Sequence, residues 1–124
     1  MDIYKQWLQQ AEYDLAAAGD MFRAGRLYYV LFCCQQAVEK ALKAIYALKI
    51  QESPPRTHQL TRIAQEAKLE LSEEQKDFMR ELSAYYVQSR YPDEMDSSDA
   101  GLNAEMVDKV LAKTKELLQW FRSI

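Results

Sequence analysis

Three short segments of the chain carry residue types that do chemistry. Gln36, Glu39, Lys40 and Lys43 recur at i, i+3, i+4 and i+7, so a helix would line them up on one face. Gln36 and Glu39 can hydrogen-bond a base or ribose, and Lys40 and Lys43 add positive charge for a phosphate. The second segment is Arg90-Tyr91-Pro92-Asp93. Proline pushes the preceding residue out of the helical region, which fixes Arg90 at a rigid helix end. Its guanidinium fork suits a phosphate in bidentate fashion, with Asp93 and Tyr91 alongside. The third is Thr57-His58-Gln59-Leu60, which holds the one histidine of the chain. Thr57 reads as a helix N-cap, and a helix N-terminus favours neutral imidazole at His58.

Each segment also has a plainer reading. A polar stripe is ordinarily a solvated face. An arginine near a helix C-terminus satisfies the last carbonyls, and an Asp after Pro caps a turn. A histidine beside an N-cap is ordinarily structural. What favours a cleft wall in the first case is the helix that carries the stripe: it is the most apolar stretch of the chain, so where it turns polar it must face water, a ligand or a partner.

Other chemistry is absent from the sequence. One histidine and one vicinal cysteine pair give no zinc ligand set of ordinary spacing. Gly19, Gly25 and Gly101 are isolated, so no phosphate-cradling loop precedes a helix. There is no EF-hand loop and no Glu-x-x-His pair. No metal and no cofactor are therefore expected. Cys33 and Cys34 would point about 100° apart on a helix, which predicts two buried thiols and not a redox pair.

The elements that must position these residues follow from composition and period. The chain has 124 residues, room for one domain spanning residues 1–124. Glycine and proline number three each, and β-branched residues are sparse, which excludes a sandwich, barrel or Rossmann sheet. With 48% of residues hydrophobic, disorder is excluded too. The apolar period predicts helices over 2–22, with Asp2 as N-cap and Gly25 as left-handed stop, and over 27–49. A short third helix runs from Thr57 to about Lys68. A fourth opens on the capping box Ser72…Gln75 and ends before Pro92, and a fifth covers 103–123 with Asn103 as N-cap. The first half of the second helix, including Tyr28, Tyr29, Phe32 and Cys33, is apolar nearly all round. That half is expected to be central, or covered by a second subunit. The fold class is all-α: an up-and-down four-helix bundle with one short extra helix.

Together the three segments resemble the HEPN domain family. Gln35-Gln36-Ala37-Val38-Glu39-Lys40-Ala41-Leu42-Lys43, then Thr57-His58-x-Leu60, then Arg90-Tyr91-Pro92-Asp93 match its pattern in order and spacing. Ala11-Glu12-Tyr13-Asp14-Leu15 is similar to the opening Ala-x-x-Asp-Leu pattern, and the resemblance covers nearly the whole chain. It implies a four-helix bundle paired as a homodimer. Many members are ribonucleases or toxins; others accompany a small nucleotidyltransferase. The ribonuclease signature in that family is Arg followed a few residues later by His. Arg90 matches its first position, but Tyr91 to Ser97 contain no histidine and several acidic residues. Asp93 and Asp96 do not ordinarily titrate near neutrality, so the proton transfers of metal-free RNA cleavage lack a carrier there.

The resemblance thus implies a non-catalytic dimeric protein that binds a nucleotide or phosphate ligand, or a partner nucleotidyltransferase, in a toxin–antitoxin-type module. The expected ligand contacts are Arg90, Lys43, Lys40, Gln36, Glu39 and Asp93, with His58 and Tyr91 accessory. One alternative is a metal-independent ribonuclease with a degenerate site using Arg90 with Glu39 or Asp93. Another is a helical protein-interaction module, which eight tyrosines would suit. The net charge of −3 disfavours RNA as a partner. No basic start followed by an apolar stretch is present, and no run is long enough to span a bilayer, so a cytoplasmic location is expected.

Overall fold

The computed structural model describes residues 2–90 and 102–124. They form five helices: α1 (Ile3–Arg23), α2 (Leu27–Ile50), α3 (Leu60–Glu66), α4 (Glu73–Arg90) and α5 (Ala104–Arg122). No strand occurs among the described residues, and no described helix is long and apolar enough to cross a membrane. The long helices α1, α2, α4 and α5 make the up-and-down bundle, with α3 as the short extra element.

Most helix ends are set by the side chains that the sequence singles out. Asp2 Oδ1 accepts from the Tyr4 amide at 3.0 Å. Ser72 and Gln75 cap one another reciprocally, at 2.9 and 3.1 Å. Asn103 Oδ1 accepts from the Met106 amide at 2.8 Å. Helix α1 stops where Gly25 adopts φ 76°, a left-handed conformation open to glycine. The Gly25 and Arg26 amides then bond back to the Phe22 and Met21 carbonyls, in the Schellman pattern.

Helix α3 departs from the expectation. It starts at Leu60, and Thr57 does not cap it: the Thr57 hydroxyl accepts from the Gln59 amide at 3.2 Å, closing a local turn instead. His58 therefore stands in the loop before α3, not at its N-terminus.

Helix α2 is the hub, packed on α1, α3, α4 and α5. Its small residues Ala37, Ala41 and Ala44 are fully buried, as are Ala11 and Ala18 of α1, which lets the two helices approach closely. The α5 residues Val107, Val110, Leu111, Leu117, Leu118 and Phe121 bury a stripe at helical period against it. Phe78, Met79, Leu82 and Tyr86 do the same from α4. Helices α4 and α5 both lean on α2 and make little direct contact with one another.

Within the single chain, the burial of α2 runs opposite to a central first half. The second half, from Ala37 to Ile45, is buried all round except at Lys40, while Tyr29 in the first half is 61% exposed. The cause is the chain after the helix. Gln51 turns it back in a left-handed conformation, His58 of the following loop bonds Gln35 and Glu39, and α3 packs on α2. Polar residues that periodicity assigns to a surface are thereby enclosed.

Candidate functional site

The enclosed polar residues of α2 form one connected cluster. Gln35, Glu39 and Lys43 succeed one another at i, i+4 and i+8, so they share a line along the helix. Glu39 is 4% exposed and Lys43 8%, which makes them the most costly groups in the core to leave unpaired. They are not unpaired. Lys43 Nζ donates to Glu39 Oε2 at 3.1 Å and lies 5.4 Å from the centroid of the Trp7 ring on α1. The other carboxylate oxygen, Oε1, meets His58 Nδ1 at 2.9 Å and Gln35 Nε2 at 3.2 Å.

Gln35 ties this cluster to the loop. Its buried amide also donates to the His58 backbone carbonyl at 3.3 Å, and its Oε1 accepts from Gln36 Nε2 at 2.8 Å. His58 is thus held at two points, through its carbonyl and its ring. A carboxylate only accepts, so the Nδ1 nitrogen carries the hydrogen. In the neutral ring, Nε2 then keeps its lone pair. The His58 side chain is 58% exposed, so a ligand can reach that edge.

An aromatic group flanks the imidazole. The Tyr86 ring of α4 lies 5.0 Å from the His58 ring, and Phe32 of α2 stacks on Tyr86 with centroids 5.9 Å apart. Arg90 is the last residue of α4, one turn beyond Tyr86. The Arg90 side chain, Tyr91 and Asp93 lie outside the described residues.

Lys40 is engaged separately. Its ammonium stands 2.7 Å from Asp14 Oδ2 across the α1–α2 interface. That oxygen is buried and receives no aligned hydrogen bond, so the contact acts as an ion pair and not as a directed bond. Half-buried Cys33 lies near it. Burial first, and the Asp14 carboxylate second, push its thiol pKa up. The polar stripe is therefore neither a solvated face nor an open basic wall. Lys40 and Lys43 each face a carboxylate of this chain.

Of the residues that the sequence singles out, the fold brings Gln36, Glu39, Lys43 and His58 to one place. Sequence reasoning left out Gln35, Asp14, Trp7, Phe32 and Tyr86. Gln35 and Asp14 stand inside the quoted motifs; Gln35 shares an i, i+4, i+8 line with Glu39 and Lys43 that a stripe begun at Gln36 passes over, and Asp14 has no polar partner at helical spacing to Lys40 because the two lie on different helices. No group of three or more potential metal-ligating side chains occurs among the described residues.

The family model of the HEPN domain fits residues 4–124. The chain belongs to the HEPN family. This HEPN chain also resembles the crystal structure of TT1696 from Thermus thermophilus, with a TM-score of 0.85 and 21% sequence identity. The likeness covers 99% of this chain and 98% of that one, and it shows the shared helical fold. No curated protein matches the sequence significantly.

Proposed function

We propose that this HEPN chain is a dimeric, non-catalytic binding protein. Its ligand is a nucleotide or a phosphate-bearing group, and its protein partner is a small nucleotidyltransferase in a toxin–antitoxin-type module. One observation carries the reading: the His58 ring touches both Glu39 and Tyr86. That contact joins the α2 stripe, the loop before α3 and the last turns of α4 at a single edge. The edge offers aromatic faces for a base, the Gln36 and His58 polar groups for hydrogen bonds, and Arg90 for phosphate. Lys40 and Lys43 are already neutralised by Asp14 and Glu39, so Arg90 is the principal phosphate ligand, with Tyr91 and Asp93 following it.

Thermal unfolding against a panel of nucleotides tests this. A ligand at a hundredfold its dissociation constant adds about 2.7 kcal/mol, several degrees in a domain of this size. The expected result is a shift for one nucleotide that Arg90→Ala abolishes. A panel without any shift removes the nucleotide. Light scattering at micromolar concentration tests the dimer, and a monomer refutes it.

One feature favours a second reading. The Glu39–His58 pair directs Nε2 outward, as a general base requires. An imidazole from the α2–α3 loop would then stand in for the histidine missing after Arg90. RNA left intact by an equimolar amount of protein removes this reading; cleavage lost in His58→Ala supports it.

A further inference from the structure

A concave surface lies toward the other end of α4. Gln75 in its wall is about 16 Å along the helix from Tyr86. The cleft has a volume of 570 Å³ and opens between the first turns of α4 and the last turns of α5. It lies where these helices pack on α2 and, among the described residues, make little contact with each other. Its floor is apolar and aromatic, made of Phe78, Leu117 and Trp120.

The rim is acidic. Glu74, Asp77, Glu81 and Glu116 line it, against the single ammonium of Lys113. Glu74 stands in the first turn of α4, where the helix dipole accounts for it. Asp77 is paired with Arg80 at 2.7 Å. Neither explanation reaches the other two. Glu81 lies mid-helix and, among the described residues, accepts from the Tyr85 hydroxyl alone, at 3.2 Å. Glu116 lies in the C-terminal half of α5, the side of the helix that disfavours a carboxylate, and it forms no ion pair among the described residues. The floor itself already accommodates a cation: Lys113 Nζ sits 5.8 Å from the centroid of the Phe78 ring.

We infer that this cleft is a docking site for an arginine-bearing segment of a protein partner. A guanidinium is planar, stacks on an aromatic face and forks onto a carboxylate, which a compact ammonium does less well. Trp120 supplies the face, and Glu81 and Glu116 the carboxylates. The site is separate from the His58 edge and does not depend on any nucleotide there.

The test is an NMR titration of the full ¹⁵N-labelled chain with a short, end-blocked peptide containing two arginines. Three comparisons accompany it: the same peptide with citrulline in place of arginine, spermidine, and two charge reversals in the protein. Glu116→Lys removes a rim carboxylate. Asp108→Lys changes the net charge equally at an exposed position of α5 outside the cleft. The expected result is saturable shifts at the Trp120 indole and the 72–81 amides with the arginine peptide alone. Glu116→Lys should weaken binding about tenfold, the loss of one charge-assisted contact, and Asp108→Lys should leave it unchanged. Equal loss in the two variants, equal binding of the citrulline peptide, or spermidine binding as tightly in the same place would each overturn the proposal. So would an absence of shifts in the cleft.

Discussion

Replacing Glu39 by Gln keeps the shape of the side chain and removes its charge, so the outcome measures electrostatics and not packing. The wild-type carboxylate faces Lys43 Nζ at 3.1 Å, with the two residues 4% and 8% exposed. Removing one member of a buried pair costs about 3–5 kcal/mol, because the other charge is left uncompensated. Lys43 keeps the Trp7 ring face and a little water, which sets the loss near the low end, about 3 kcal/mol. His58 is more than half exposed, so its lost contact adds less than about 1 kcal/mol. In a domain of this size, about 3 kcal/mol lowers Tm by roughly 12 °C. Lys43→Met should cost less, about 2 kcal/mol, since Gln35 and His58 still satisfy the carboxylate. The double variant removes both charges together and should lose no more than the worse single one, a coupling of about 2–3 kcal/mol. Urea unfolding followed by circular dichroism gives all four stabilities. If Glu39→Gln loses less than about 0.5 kcal/mol, or if the two losses simply add, the cluster is not the buried ion pair argued here.

The same cluster predicts a tautomer. The ¹⁵N resonances of His58, the only imidazole of the chain, should report hydrogen on Nδ1 in the neutral ring, and Glu39→Gln should release that preference. Cys34 is a third case: burial pushes its thiol to about 11 from an ordinary 9.0, although the Thr114 hydroxyl opposes the shift. At pH 8 it should resist alkylation unless the chain unfolds. Between about pH 9 and 11 the unfolded state gives up this proton and the folded state keeps it, so stability falls by up to about 1.4 kcal/mol per pH unit from this group. Cys34→Ala should flatten that part of the pH–stability profile. Gln51 holds a left-handed φ of 62° at the end of α2. Gln51→Gly should raise stability by about 0.5–1 kcal/mol, visible as a higher urea midpoint.

Local signals in the sequence located what is local in the fold. Asp2, Gly25, Ser72 with Gln75, and Asn103 each act within a few residues of themselves, and each ends or starts its helix where the spacing predicts. Thr57 failed for an equally local reason: its hydroxyl serves a turn onto Gln59 as readily as it serves a helix cap. The burial of α2 was not legible, because it depends on a segment folding back from beyond Gln51. Periodicity describes a helix by its own faces and contains nothing about a loop that covers one of them. Glu39 and Lys43 therefore read as surface residues. The partners that make their burial possible lie on α1 and on the loop, at Trp7 and His58.

This enclosure changes what the motif residues can be asked to do. As a free face, Lys40 and Lys43 would attract any anion approaching α2. In the folded chain each faces a carboxylate, so a ligand that recruited either lysine would have to break the Lys40–Asp14 or the Lys43–Glu39 pair, at a cost of about 2 kcal/mol for the latter. A phosphate contact with an arginine outside this cluster carries no such penalty. The work of the α2 charges in this fold is then mechanical: Glu39 and Gln35 fasten the loop by the His58 ring and carbonyl, and Lys43 balances Glu39. On the proposed reading, recognition falls to the groups that the fastening leaves outward, the His58 Nε2 edge and the end of α4. On that argument Lys40→Met and Arg90→Ala separate cleanly. The first should lower stability while leaving ligand affinity unchanged, and the second should do the reverse. A Lys40→Met variant that keeps its Tm but loses the ligand would show that Asp14 does not hold this ammonium, and would return Lys40 to the binding surface.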